Sequence, residues 1–170
     1  MISVDGNIGS GKSTVLTALA ERGYTVHKEA IDKWPLEEFY SDPVGWAMPM
    51  QLAVLHSMRP DEGIHERCPD SAFSVFWKGG ANEQEDKVVR EFFQRHRWSP
   101  AVHVYLKASP EWCYKNMKKR TQAGDSGVTM EYLQELHAKY ESFFATVPHV
   151  AIDAERPVDA IVSEIICHCK

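Results

Sequence analysis

Gly6-Asn7-Ile8-Gly9-Ser10-Gly11-Lys12-Ser13-Thr14 stands near the start of the chain and matches G-x-x-x-x-G-K-[ST] in full. That spacing turns consecutive backbone N–H groups towards phosphate oxygens, sets a lysine against the outer phosphates and offers a hydroxyl to Mg²⁺. Glycine is required where the loop wraps so tightly that a Cβ would strike the phosphate or demand a forbidden backbone angle. The flanks agree with this reading. Ile2-Ser3-Val4-Asp5 is a short strand, and Lys12 to Arg22 carries Val15, Leu16, Leu19 and Ala20 at helical spacing before Gly23 stops it. The helix brings the positive end of its dipole to the loop. A nucleoside triphosphate site is therefore expected, with Lys12 on the phosphates and Ser13 on the metal.

Working outward, Tyr24-Thr25-Val26-His27 reads as a buried strand ending at Lys28-Glu29-Ala30. Ligands bind at the carboxyl ends of parallel strands, which puts Glu29 where chemistry is done. A loop through Trp34-Pro35 leads to a short helix ending near Tyr40-Ser41-Asp42-Pro43. From Val44 to Met58 the pattern predicts a long helix, with Gln51, Val54 and Met58 on one face and Met50 beside them. Ile64-His65-Glu66-Arg67 is the next strand, Ser71 to Trp77 a short aromatic helix, and Glu83 to Trp98 a charged amphipathic one. Ala101 to Leu106 is a strand. Ser109-Pro110-Glu111 opens a helix that runs to Lys118-Lys119-Arg120. A loop at Gly124-Asp125-Ser126-Gly127, a helix from Thr129 to Ala145, a strand from Val147 to Ile152 and a helix from Val158 to Cys167 complete the chain. Strands alternating with helices predict an α/β fold, a five-stranded, mostly parallel sheet with helices on both faces and the loop-bearing strand central.

The 170 residues fit one domain, 1–170. A net charge of −5 with both signs scattered argues against direct nucleic-acid binding. No apolar run approaches membrane-spanning length and the chain enters its functional strand at once, so a cytoplasmic location is expected. The four cysteines, at 68, 113, 167 and 169, form no disulfide framework. Cys167-His168-Cys169 lacks the second pair that a closed zinc site needs and reads as a frayed helix end.

The glycine loop alone does not separate a GTPase, an ATPase and a small-molecule kinase. The chain shows no N-K-x-D guanine signature and no Walker-B aspartate after an apolar run. It offers instead Glu29 with Trp34 five residues on; Tyr40-Ser41-Asp42-Pro43 followed by Trp46-Ala47-Met48-Pro49-Met50-Gln51; Glu66-Arg67; Tyr105-Leu106-Lys107-Ala108-Ser109-Pro110-Glu111; and Tyr132-Leu133-Gln134-Glu135-Leu136-His137. With the glycine loop, and in this order, these stretches resemble the deoxyribonucleoside kinase family over most of the chain.

The resemblance implies ATP-dependent phosphorylation of a deoxyribonucleoside 5′-hydroxyl, with Mg²⁺. It implies that Glu29 is the general base, that Arg67 holds the 5′-oxygen and the transferring phosphoryl group, and that Glu66 assists Mg²⁺ beside Ser13. A sugar hydroxyl ionises far above neutrality, so a carboxylate within hydrogen-bond reach is what such a reaction needs. Phosphoryl transfer otherwise demands positioning and positive charge, the part of Lys12, Arg67 and Mg²⁺. Gln51 would read the base, its amide pairing an acceptor with a donor. Trp34 and Phe76 would pack about the base, and Tyr40 with Asp125 would bind the 3′-hydroxyl. Val54, Met58 and Ala72 occupy the positions that shape the base pocket, with Met50 and Met58 narrowing it. An apolar wall without a carboxylate at Ala72 makes thymidine the expected acceptor. Lys118 and Arg120 lie in the lid over the ATP phosphates, at about 118–127.

The chain also departs from the pattern. Its lid holds Lys118, Lys119 and Gln122 with one arginine, which reduces bidentate phosphate clamping. Phe73 stands near a usual arginine, and Ala30 follows Glu29 where proline is expected. The segments Trp34–Tyr40 and Trp77–Trp98 are short, which suggests a trimmed, virus-encoded type of member acting in the host cytoplasm. These regions also help form the family's dimer, so the resemblance leaves open whether the chain is a homodimer. Two other readings stand beside this one: another small P-loop kinase such as thymidylate kinase, and a non-catalytic nucleotide-binding module. Neither needs the set Trp34, Tyr40 and Gln51, and mere ATP binding needs neither Glu29 nor Arg67.

Overall fold

A computed structural model describes residues 1–120 and 127–169. Five strands, β1 (Ile2–Asp5), β2 (Val26–His27), β3 (Ile64–Glu66), β4 (Val102–Lys107) and β5 (Val150–Asp153), form one sheet in the order β2-β3-β1-β4-β5, every pair parallel. Their connections carry eight helices among the described residues: α1 (Lys12–Glu21), α2 (Leu36–Ser41), α3 (Ala47–Ser57), α4 (Pro69–Phe76), α5 (Glu83–His96), α6 (Pro110–Lys119), α7 (Met130–Phe144) and α8 (Val158–Cys167). β1 lies in the middle, so the loop that follows it emerges at the centre of the sheet's carboxyl edge. None of the described helices is long and apolar enough to cross a membrane.

The two faces of the sheet follow from strand periodicity. Val104 and Leu106 of β4 join a core with Val15, Leu16 and Leu19 of α1, Cys113 and Met117 of α6, and Ile161, Val162 and Ile165 of α8. Tyr105, one residue out of phase, joins Val75 of α4 with Leu136, Tyr140 and Phe144 of α7 in a second core. Local signals start the helices where the chemistry is favourable. Asn82, Ser109 and Thr129 each accept a backbone N–H of the first turn, at 3.0, 3.3 and 3.2 Å. Register is set by β1, where Ile2 lies opposite Ile64 and Val102, and Val4 opposite Glu66 and Val104.

Four expectations need correction. The stretch Tyr24–His27 forms only the two-residue, half-buried β2, because it is an edge strand rather than an interior one. The helix expected from Val44 to Met58 runs from Ala47 to Ser57. Its start is delayed by a turn in which Asp42 Oδ1 accepts Gly45 N at 3.0 Å, and Met58 beyond its end is extended. The aromatic helix begins earlier, at Pro69, and ends at Phe76. The last strand begins at Val150 rather than Val147.

Candidate active site

Backbone geometry defines the loop between β1 and α1. Gly9 and Gly11 have φ of 79° and 92°, in the left-handed region where a side chain is strained. A Cβ at Gly9 would also overlap the carbonyl of Cys113 on α6, so the loop and α6 pack backbone to backbone. Asn7 braces the loop, receiving its neighbour Ile8 N–H at 2.8 Å and donating through Nδ2 to the Leu133 carbonyl of α7 at 2.9 Å. Asn116 Nδ2 of α6 donates to Gly9 O at 3.4 Å. The Lys12 ammonium lies inside the loop and donates to Gly6 O at 3.0 Å and Asn7 O at 2.8 Å. Burial, helped by the nearby Arg67 charge, lowers its pKa to about 8. Ser10 Oγ is buried beside it without a partner among the described residues.

On the neighbouring strand ends the chain gathers charge. Glu29 follows β2 and Arg67 follows β3; both are buried, and Arg67 Nη1 donates to Glu29 Oε1. Arg67 also donates through Nη2 to Gly6 O at 3.3 Å and through Nε to Tyr140 Oη at 2.7 Å, while its guanidinium carbon lies 4.8 Å from the Phe76 ring centre. Burial raises the Glu29 pKa above the ordinary carboxylate range against the pull of Arg67. Burial opposes the charge on Arg67, but Glu29, Tyr140 and Glu66 outweigh it and hold the arginine firmly protonated. Glu66 Oε1 accepts from Ser13 Oγ at 3.0 Å, which joins the end of β3 to the start of α1. These two oxygens are hard donors of the kind Mg²⁺ prefers. The result is a carboxylate of raised basicity, a fixed cation and a hydroxyl–carboxylate pair beside a phosphate-type loop. Such a set can take a proton from a hydroxyl and neutralise a phosphoryl group as it moves.

A cleft of about 300 Å³ opens beside this pair, lined by Glu29, Trp34, Met58, Glu66 and Arg67 together with His27, His65 and Asp61. Trp34 Nε1 donates to Ser57 Oγ at 3.2 Å, and His27 stacks on His65 at 4.4 Å. The other candidates for base recognition are on α3 and α4, which pack together. Gln51, Val54 and Ala72 are buried there, and Gln51 Nε2 has no partner among the described residues. Met50 is half-buried on α3. Tyr40 is at the exposed end of α2 with its ring against Gly127, where a Cβ would sit 2.9 Å from Tyr40 Cδ1. Thus α2 packs on Gly127, the last residue of the expected lid. Lys118 lies over the Tyr114 ring at 5.2 Å in the last turn of α6, and Arg120 follows that helix in extended conformation. Asp125 and Gln122 fall outside the described residues.

Sequence reasoning missed Tyr140, whose spacing from Leu133 and Leu136 reads simply as helix core. It also missed the polar group below the loop. Asp5, wholly buried, accepts from Ser3 Oγ at 2.7 Å and from Ser71 Oγ, while His103 Nδ1 is 3.1 Å from Ser3 Oγ and 4.0 Å from Cys68 Sγ. Asp5, Cys68 and His103 are close enough to share a metal. However, burial pushes the Cys68 thiol up to about 12, and the Asp5 oxygens are already engaged by hydroxyls, so the cluster reads as hydrogen-bonded packing under the loop.

Comparison with known proteins bears on this arrangement. A sequence model of a family described as deoxynucleoside kinase matches residues 2–166. The thymidine kinase of Ictalurid herpesvirus 1 (strain Auburn) is 35% identical, over 96% of this chain and 82% of its own. The mitochondrial thymidine kinase 2 of Homo sapiens is 28% identical, over 95% of this chain and 73% of its own. Among solved structures, a deoxyadenosine kinase from M. mycoides with bound dATP superposes with a TM-score of 0.79 at 22% identity, covering 99% of this chain and 98% of that one.

Proposed function

Since the chain belongs to the deoxynucleoside kinase family, we propose that it transfers the γ-phosphoryl group of ATP to the 5′-hydroxyl of deoxyribonucleosides, with thymidine the preferred acceptor. The carrying observation is the buried Glu29–Arg67 pair set against the phosphate loop through the Arg67 bond to Gly6 O. Glu29 takes the hydroxyl proton as the oxygen attacks, and its raised pKa suits that task. Arg67 and Lys12 hold positive charge against the transferring group, the loop residues Gly6 to Thr14 cradle the donor phosphates, and Lys118 and Arg120 close over them. Ser13 and Glu66 would hold Mg²⁺, which when bound neutralises phosphate charge.

Gln51 meets the edge of the base, Trp34 and Phe76 pack about it, and Tyr40 with Asp125 holds the sugar. The preference for thymidine is supported by the apolar side chains of Val54 and Ala72, both buried, with Met58 at the cleft. Such a wall gives the 4-amino group of cytosine no carboxylate and receives the thymine methyl, a contact worth about 1 kcal/mol. The relative in Ictalurid herpesvirus 1 carries the name thymidine kinase, which agrees with that preference. We place the whole chain, as one domain, in the cytoplasm.

Competition kinetics with the four natural deoxynucleosides test the reading. Thymidine should lead, deoxycytidine follow and the purines trail; a higher kcat/KM for deoxyadenosine or deoxyguanosine than for thymidine overturns the preference. The paired change Met58→Arg with Ala72→Asp should move selectivity towards deoxycytidine or purines. Turnover with thymidylate but not thymidine would point instead to a nucleoside monophosphate kinase.

A further inference from the structure

Arg67 leaves β3 with φ of 65°, a backbone state that costs a side-chain-bearing residue about 1 kcal/mol or more. Something must hold it there and aim its side chain. The guanidinium is a rigid fork of five N–H donors, so fixing one edge fixes the direction of the others. Nη1 faces Glu29, Nη2 faces Gly6 O at 3.3 Å and Nε faces Tyr140 Oη at 2.7 Å. Tyr140 has no exposed surface. Its ring stacks on Tyr105 at 5.9 Å and meets Phe76 edge-on at 6.3 Å, which leaves the hydroxyl a single position.

The helix that carries Tyr140 holds a second contact with the site. Leu133, seven residues earlier on the same buried face of α7, accepts Asn7 Nδ2 of the phosphate loop at 2.9 Å. The two residues are about 10.5 Å apart along the helix axis. One rigid element therefore touches both the donor loop and the acceptor arginine.

We propose that Tyr140 is the positioning residue for Arg67, and that α7 sets the spacing between the donor loop and the acceptor-side cation. With Nε given to the Tyr140 hydroxyl and Nη2 to Gly6 O, each two-bond edge of the guanidinium has one member engaged elsewhere, and Glu29 meets Nη1 alone. A bidentate arginine–carboxylate pair is the stronger union, and it would engage the lone pairs Glu29 needs for the acceptor hydroxyl. The inference rests on the roles proposed above for Glu29 and Arg67.

The test uses the full chain with ATP and thymidine. Tyr140→Phe, which keeps the ring and removes one oxygen, should lower kcat by about 5- to 50-fold, the scale expected when a buried charged donor loses its acceptor. KM for either substrate should change by less than about twofold. Arg67→Lys, which lacks the fork, should lose about 100-fold or more, and adding Tyr140→Phe to it should cost less than about twofold further. A Tyr140→Phe enzyme that melts lower but keeps kcat within twofold overturns the inference, as do losses that multiply in the double variant. Should Tyr140→Phe not fold, hydrogen exchange in the unaltered protein decides. The Arg67 Nε–H, assigned by its loss in Arg67→Lys, should be strongly protected, and rapid exchange overturns the inference. Wild-type turnover of Arg67→Lys itself would overturn the underlying role of Arg67, which is a different result.

Discussion

Between Gly6 and Thr14 the backbone itself is the binding surface. Its positive φ angles, the Lys12 ammonium bridging two loop carbonyls and the Asn7 brace to α7 leave little that can move. Between Ala30 and Ser41 the chain has a three-residue 3₁₀ turn and a six-residue helix; neither contains a buried residue and neither has a side-chain cap. Both regions border the same buried charges. On the roles proposed above, the contrast divides the labour physically: the phosphate donor is handled by backbone geometry that tolerates almost no substitution, whereas Trp34 and Tyr40 meet the acceptor from lightly anchored elements. A kinase built this way can change acceptor without rebuilding its donor site.

The division can be broken most severely at the residue both regions share. Glu29→Gln keeps shape and hydrogen bonds but takes no proton, and should cut turnover by about 10²- to 10⁴-fold while leaving thymidine binding nearly intact. Turnover within a few-fold of wild type would remove Glu29 as the base. A parallel loss of ATP binding would show that the two regions are not separable. Next in size is Lys12→Ala. The loss of a charge-assisted contact, about 1.5–3 kcal/mol, should raise the KM for ATP by roughly 10- to 100-fold. Calorimetry without ATP should find thymidine affinity unchanged; an equal loss there would merge the sites.

The smallest effect sharpens the contrast through stability. Gly9→Ala adds a side chain at φ of 79° that meets the Cys113 carbonyl, and should cost about 1–3 kcal/mol. In a chain of this size each of those kcal/mol lowers the melting temperature by about 2–4 °C. A thermal melt unchanged from wild type would mean that the loop is not held against α6.

The same contrast governs what the sequence disclosed. The phosphate loop is legible because its determinants are contiguous and each glycine has a backbone reason. The fold class follows, since a strand, loop and helix in that order admit few sheets. The acceptor half is legible only in part. The helix expected to carry Met58 stops at Ser57, whose hydroxyl bonds back to Val54 O at 2.7 Å, and Pro60 three residues on disfavours helix at Arg59. The proline is a usable signal that competes with the apolar spacing. The exposure of β2 is not legible, because position within a sheet is not a local property. The Arg67–Tyr140 bond spans 73 residues, and a tyrosine in a helix core gives no hint of its partner across the site.

The pairing of β3 with β1 has a consequence for any attempt to lengthen the chain. Glu66 lies opposite Val4, Ile2 N bonds to Gly63 O at 3.0 Å and Arg67 N to Val4 O at 3.1 Å. Side chains alternate along a strand, so one residue added between Gly63 and Arg67 would send His65 where Glu66 now points and displace the cation that faces Glu29. Extra residues at Lys78–Ala81, between α4 and α5, would cost only a slowly growing loop-closure entropy. The chain therefore has stretches where length is free to drift and one three-residue strand where it is counted.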